Sequence, residues 1–362
     1  MKRQVLITAP IPDASVERIA AVSPDLLIER LAIPKEGWPA GYVTAAEVHY
    51  TAGQLLRPEQ APQLRWVHSH WAGVEGLIDS PLWAAGGEAG DEAEDEDRPA
   101  EDNEDIGAST GGQVVLTTTS GIHAPNIGQY VLAQMLAWAN RVPRWLRAQR
   151  EGTWPQGRRD TFMSEELAGQ TLGIIGYGSI GREIARLARV FNMTILVTKR
   201  DARHVQDTGY TLPGFGDPDG IMPTRIYPAG ALRSVVAQCD YVAVTLPLTT
   251  HTHHLFDESV FQTMKPSAYV INVGRGGVID ERALIRALQR GWIAGAGLDV
   301  FETEPLPDSS PLWDMRNVIL TPHVSGMTPH YEERAADLFT ANLRRYLAGE
   351  PLINAVDWQE GY

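Results

Sequence analysis

A single cysteine, Cys239, occurs in 362 residues. That excludes a disulfide framework within one chain and a multi-cysteine zinc site. No stretch approaches the ~18–20 apolar residues of a membrane-crossing helix. The basic start Met1-Lys2-Arg3 is followed only by Val5-Leu6-Ile7 before Pro10 and Pro12. A secretory leader needs roughly 7–15 apolar residues there, so the segment reads as a first strand and a cytoplasmic protein is expected. Positive charge is also scarce, with 31 Lys and Arg against 45 Asp and Glu, a net charge of −14. No basic surface for nucleic acid is implied. The acidity is local: residues 88–105 hold eleven acids and one arginine, ten of the fourteen net negative charges, which leaves −4 for the rest. That tract has no apolar residue larger than alanine or proline and lies between glycine-rich flanks. The stretch 86–112 therefore reads as a mobile, solvated surface loop, with an interaction tail as the alternative.

What is present is material for about two domains at roughly 150 residues each, with 43% hydrophobic residues to form their cores. Strand-like runs at 4–8, 26–30, from residue 64, 114–119, 171–175, 194–200, 241–246, 268–273, 295–300 and 318–321 alternate with helical text. The clearest helix covers 123–140, with Ile127, Tyr130, Val131, Gln134, Met135 and Trp138 at helical spacing. Alternation of this kind predicts an α/β fold with parallel sheets.

The run 171–191, TLGIIGYGSIGREIARLARVF, reads as strand, glycine turn and amphipathic helix. Gly176, Gly178 and Gly181 form a G-x-G-x-x-G pattern. The first glycine permits the tight turn, the second lets a pyrophosphate approach the backbone, and the third lets helix pack on strand. The helix N-terminus offers amides and a positive dipole to phosphates. The later strands lead into loops carrying Pro247, Gly274-Arg275, Asp299 and His323, which places an arginine, an aspartate and a histidine on one carboxyl rim. Beside a nicotinamide, hydride addition to a carbonyl leaves an alkoxide that needs a proton, and histidine is the natural donor near neutral pH. A carboxylate such as Glu304 would orient the ring and favour its cationic form. An arginine would hold a substrate carboxylate or polarise its carbonyl.

These motifs carry a family resemblance. LGIIGYGSIG (172–181), VTLPLTTHTHHLF (244–256), MKPSAYVINVGRGGVIDERAL (264–284), GAGLDVFETEPLP (295–307), SPLW (310–313) and VILTPHVSG (318–326) resemble the D-isomer-specific 2-hydroxyacid dehydrogenases. The resemblance spans most of 64–85 and 113–357. It implies two Rossmann-like or flavodoxin-like domains: a substrate domain of 1–123 with 325–362, and an NAD(P)-binding domain of 124–324. It implies that His323 is the acid/base, Glu304 its partner, and Arg275 the binder of substrate carboxylate and carbonyl. It places Ser179, Ile180, Pro247, Thr252, Val273, Gly274, Arg275, Asp299, His323 and Gly326 at the cofactor, beside the three turn glycines. Backbone amides of Ala72, Gly73 and Val74 would meet the substrate carboxylate. The substrate would be a small 2-oxoacid or 2-hydroxyacid, with glyoxylate or hydroxypyruvate as the ordinary expectation and phosphoglycerate as a second. The assembly would be a homodimer. A cofactor-sensing binding protein like the C-terminal-binding-protein corepressors uses the same scaffold and stays open as an alternative.

Two stretches stand outside the pattern, the acidic tract and 201–230. The latter is rich in Gly, Pro and Asp and reads as a cover over the adenosine end or as a passive surface loop. The second cofactor-domain strand ends in Lys199-Arg200. NAD-preferring enzymes place a carboxylate there, whereas two cations favour the 2′-phosphate of NADP(H). NADP(H) is therefore favoured over NAD(H), although Asp201 lies only two residues beyond. No metal site is expected.

Overall fold

A computed structural model gives the fold and describes residues 2–74, 76–77, 80–84 and 114–357. The acidic tract lies outside the described residues, so its reading as a mobile loop does as well. The chain divides into two compact units, Met1–Ile122 with Pro329–Tyr362, and His123–Thr328.

In the first unit, strands β1 (Arg3–Ile7), β2 (Leu26–Arg30), β3 (Val48–Thr51), β4 (Trp66–Ser69) and β5 (Val115–Thr117) form one sheet in the order β2-β1-β3-β4-β5. Every pairing in it is parallel. Helices α1 (Asp13–Ala20) and α2 (Pro81–Ala84) belong to this unit. Apolar side chains cover both faces of the sheet, one set including Val5, Ile7, Tyr50, Trp66 and Phe339, the other Leu6, Val67 and Leu116. Two-sided burial is what a parallel sheet requires. β3 was not foreseen. Its text, Val48-His49-Tyr50-Thr51, is half polar, yet all four residues are buried. Some of the polar atoms are paired inside: His49 Nε2 lies 3.0 Å from Thr8 Oγ1, and Tyr50 Oη 2.9 Å from His70 Nδ1. On β4, His68 Nδ1 lies 2.7 Å from Thr117 Oγ1. Burial pushes the imidazoles of His49 and His68 down to about 3.

The second unit begins with helices α3 (Ala124–Ala139), α4 (Val142–Arg150) and α5 (Arg158–Phe162). Strand β6 (Thr171–Ile175), helix α6 (Ser179–Val190), strands β7 (Thr194–Lys199) and β8 (Arg225–Pro228), helix α7 (Leu232–Val236), strand β9 (Tyr241–Val244) and helix α8 (Glu258–Thr263) follow. Strand β10 (Tyr269–Asn272), helix α9 (Glu281–Arg290), and strands β11 (Gly295–Leu298) and β12 (Val318–Leu320) complete it. Helix α10 (Tyr331–Ala348) returns to the first unit. The seven-stranded sheet has the order β12-β11-β10-β9-β6-β7-β8. Its strand order reverses between β6 and β9. In open α/β sheets, ligands bind beyond the carboxyl ends of strands at such a switch point.

The stretch after β7 is not a passive surface loop throughout. Part of it is the edge strand β8, paired in parallel with β7. The rest is tied to α6. The fully buried Arg182 donates to the carbonyls of Asp217 and Val205 and lies 3.4 Å from the Asp207 carboxylate. Asp217 also accepts from the Tyr177 hydroxyl and from the amides of Ile221 and Met222. β8 escaped notice because its four residues, Arg225-Ile226-Tyr227-Pro228, hold only two adjacent apolar side chains and end in a proline. Cys239 is buried, its thiol donating to the carbonyl of Val235 at 3.1 Å. A Cβ on Gly173 would come within 2.6 Å of its sulfur. Burial pushes this thiol up to about 12.

Candidate active site

The glycine turn has the shape its sequence dictates. Gly176 adopts φ 103°, a region closed to most side chains, and its carbonyl accepts from Thr245 Oγ1 at 2.7 Å. A Cβ on Gly181 would collide with that same carbonyl, so helix and strand meet only because residue 181 is glycine. The Cβ direction of Gly178, in contrast, opens on empty space. Helix α6 starts at Ser179 with no side chain capping it, which leaves its first amides and positive dipole end for an anion. Open room above one glycine and an uncapped twelve-residue helix fit a dinucleotide pyrophosphate.

The His323–Glu304 pair is built from two loops. Asp299, fully buried after β11, collects the segment 321–325. Its Oδ1 accepts from Thr321 Oγ1 (2.6 Å) and the Val324 amide (2.9 Å), its Oδ2 from the Ser325 amide (2.9 Å), and its carbonyl from the His323 amide (2.8 Å). Within this frame His323 is held at φ 53°. A non-glycine residue keeps that left-handed conformation only where its surroundings over-determine it. The ring so placed puts Nδ1 2.7 Å from Glu304 Oε2, while Glu304 Oε1 accepts from the Phe301 amide at 3.0 Å. The His323 side chain is 51% exposed, so its other nitrogen can face a substrate.

Arg275 follows β10. The loop is fixed by Asn272, whose side chain accepts from the Gly274 amide (3.1 Å) and donates to the Arg275 carbonyl (3.0 Å). Arg275 Nη1 donates to the Gly274 carbonyl at 3.0 Å. Gly276 then touches the backbone of Phe301 and Glu302 so closely that a Cβ would overlap it. The arginine loop and the segment that orients Glu304 are thus in direct contact. Gly276→Ala is expected to cost at least the roughly 1–3 kcal/mol of an overpacked core and to displace residues 301–304. A drop in melting temperature of several degrees together with a reduced kcat checks this, and a variant with wild-type values of both refutes it.

Residues 132–325 match the model of the D-isomer specific 2-hydroxyacid dehydrogenase, NAD binding domain. The chain belongs to the D-isomer specific 2-hydroxyacid dehydrogenase family. This dehydrogenase, an oxidoreductase acting on CH–OH groups, is 34% identical to a glyoxylate reductase of Korarchaeum cryptofilum over 71% of its own length and 73% of the relative's. It is 33% identical to glyoxylate/hydroxypyruvate reductase B of Escherichia fergusonii over 93% of its own length and 96% of the relative's. A D-isomer specific 2-hydroxyacid dehydrogenase of Xanthobacter autotrophicus Py2, solved in complex with NADPH and MES, superimposes with a TM-score of 0.74 at 27% identity and full coverage of both chains. The fold and the glycine turn support a nicotinamide cofactor for this dehydrogenase.

Other residues singled out in the sequence fall as follows. Val273 is buried and Gly274 abuts the Leu246 carbonyl, both at the carboxyl end of the sheet. Thr252 Oγ1 donates to the Pro247 carbonyl at 2.7 Å and accepts from the Thr249 amide at 2.8 Å, closing that loop on itself. Ile180 packs into the α6–sheet core. Gly326 lies against His123, where a Cβ would be 3.3 Å from its ring nitrogen. Ala72, Gly73 and Val74 belong to the first unit, in the turn after β4. Sequence reasoning passed over three residues that brace these segments: Thr321, which donates to Asp299, and Tyr177 and Arg182, which donate to Asp217 from the glycine turn and the start of α6. Arg182 directly follows the last glycine and is a charged residue on the inward face of an amphipathic helix, a readable sign of a buried partner.

Proposed function

We propose that the protein reduces a small 2-oxoacid to the D-2-hydroxyacid, with glyoxylate or hydroxypyruvate as substrate and NADPH as the preferred cofactor. The observation that carries this reading is the 2.7 Å pair of His323 Nδ1 and Glu304, in a strained loop at the carboxyl rim. A reduced nicotinamide dinucleotide, its pyrophosphate held at the glycine turn, would supply the hydride. Glu304 fixes the imidazole by accepting from Nδ1, and Nε2 then holds the proton that the carbonyl oxygen takes up. Arg275 binds the substrate carboxylate through charge-assisted hydrogen bonds. A panel of 2-oxoacids with NADPH and NADH tests the assignment, and absence of turnover with every member would overturn it.

The cofactor preference rests on the end of β7. Lys199 Nζ donates to the Asp201 carbonyl at 3.3 Å, and partial burial together with the nearby Arg182 lowers its pKa. The Asp201 carboxylate, which could favour the unphosphorylated ribose, accepts from His204 Nδ1 and from the Arg203 amide. The hydrogen bond from His204 first, and then that amide, hold it well below the usual carboxylate range. Lys199 and Arg200 are therefore assigned the 2′-phosphate. Lys199→Ala/Arg200→Ala is expected to lower kcat/KM for NADPH at least tenfold relative to NADH, the loss of one or two charge-assisted contacts. An unchanged ratio refutes this role. A homodimer is supported by Trp145, Leu146 and Trp154, exposed on and just beyond α4, and light scattering on the purified protein tests it.

A further inference from the structure

Helix α3 carries a polar line through an apolar core. Asn126, Tyr130 and Gln134 are four residues apart and so lie along one helix face. Asn126 Nδ2 donates to the carbonyls of Ser325 (2.5 Å) and Met327 (2.8 Å). The Tyr130 hydroxyl lies 2.6 Å from Thr321 Oγ1. Gln134 Nε2 donates to the Tyr130 oxygen at 2.7 Å, and its Oε1 accepts from the Tyr269 hydroxyl at 3.2 Å. A threonine hydroxyl has one proton. Thr321 gives its proton to Asp299 Oδ1, so Tyr130 must donate to Thr321. The chain then runs one way, from Tyr269 through Gln134, Tyr130 and Thr321 to Asp299, with every proton pointing toward the carboxylate. Hydrogen bonds aligned in this way polarise one another.

The sequence keeps room for this chain. A Cβ on Gly297, in the middle of β11, would come within 2.7 Å of Gln134 Oε1 and 2.9 Å of the Tyr269 hydroxyl. Burying such groups is costly unless each finds a partner, and an apolar residue would fill the same space without that demand. What the chain reaches is the carboxylate that gathers 321–325 and holds His323 at its left-handed backbone angle. Asn126 grips the far side of the same loop.

We infer that Tyr130 is a positioning residue for His323, acting through Thr321 and Asp299. This rests on the reading of His323 as the proton donor. Loss of the hydroxyl frees Thr321 to rotate away from Asp299 and lets the strained loop relax, so the imidazole leaves its reactive position while the glycine turn that would hold the pyrophosphate is untouched. Tyr130→Phe and the isosteric Thr321→Val are each expected to lower kcat about tenfold, the effect of one lost hydrogen bond, with the NADPH dissociation constant within twofold of wild type. The double variant is expected to be no worse than Thr321→Val, because both substitutions cut one chain. Thr321→Ser, which keeps the hydroxyl, is expected to retain kcat.

The inference is overturned by a Tyr130→Phe enzyme with wild-type kcat, by additive losses in the double variant, or by a kcat loss matched by weakened NADPH binding. If Tyr130→Phe fails to fold, Thr321→Val against Thr321→Ser decides, and equal kcat in those two overturns it. His323→Ala run in parallel separates the two readings. An active His323→Ala enzyme refutes the proton donor itself, whereas an inactive one beside a fully active Tyr130→Phe refutes only the positioning chain.

Discussion

His323→Ala is expected to lower kcat for 2-oxoacid reduction by roughly 10²–10⁴-fold, the range for removal of a general acid. The protein should still fold and bind nicotinamide cofactor. The imidazole is half-exposed and bonded to Glu304, and the loop around it is held by backbone bonds to Asp299 that the substitution leaves in place. Alanine also tolerates the left-handed backbone angle no worse than histidine by more than a few tenths to about 1 kcal/mol, too little to unfold a domain of this size. Glu304→Gln should cost less, since a side-chain carbonyl can still accept from Nδ1 but the charge is gone. The measurement is steady-state turnover alongside cofactor binding by fluorescence. Near-wild-type kcat in folded His323→Ala protein would remove the proton donor from the scheme.

The second large effect concerns acid stability and arises in the first unit. His49 and His68 are fully buried, and burial lowers both imidazoles from 6.5 to about 3. In the unfolded chain they take up protons near pH 6.5, which the folded protein refuses until about pH 3. The stability that comes from keeping them neutral is therefore complete above pH 6.5 and is lost progressively as pH falls toward 3. At pH 5 each group has lost 1.5 units' worth, on the order of 2 kcal/mol, or about 4 kcal/mol for the pair. Urea unfolding followed by the fluorescence of buried tryptophans such as Trp66, between pH 7.5 and 5, reads the slope. A flat profile across that window would show that the two rings are protonated in the fold or are reached by water.

How much of this was readable beforehand differed by element. The glycine turn was legible because Gly176 and Gly181 each answer a local steric need, and Gly178 leaves open room between them, all within six residues. Strands such as Tyr241–Val244 and Tyr269–Asn272 were legible because burial on both faces leaves an unbroken apolar run. β3 was hidden because its polar side chains find partners on β1 and the β4 end, 41 and 20 residues away along the chain. Glu304 and His323 could be paired through the family motifs they occupy. Tyr130 looked like one more member of an apolar helix face, and only the fold brings it to Thr321, 191 residues further on. Local chemistry is written in neighbouring letters, and the groups that steady it are distributed by topology.

The buried thiol of Cys239 has a practical bearing on experiments with this molecule. Maleimides and similar reagents attack thiolates, and a sulfur enclosed in the core with its pKa pushed up to about 12 offers almost none at neutral pH. With no other cysteine in the sequence, the wild-type chain already serves as a blank background for site-directed chemistry. A cysteine introduced at Val190, which is 75% exposed, would be the sole thiol to react in the native state. A fluorophore or spin probe could be attached there without first removing the native cysteine, which would risk opening a hole beside Gly173.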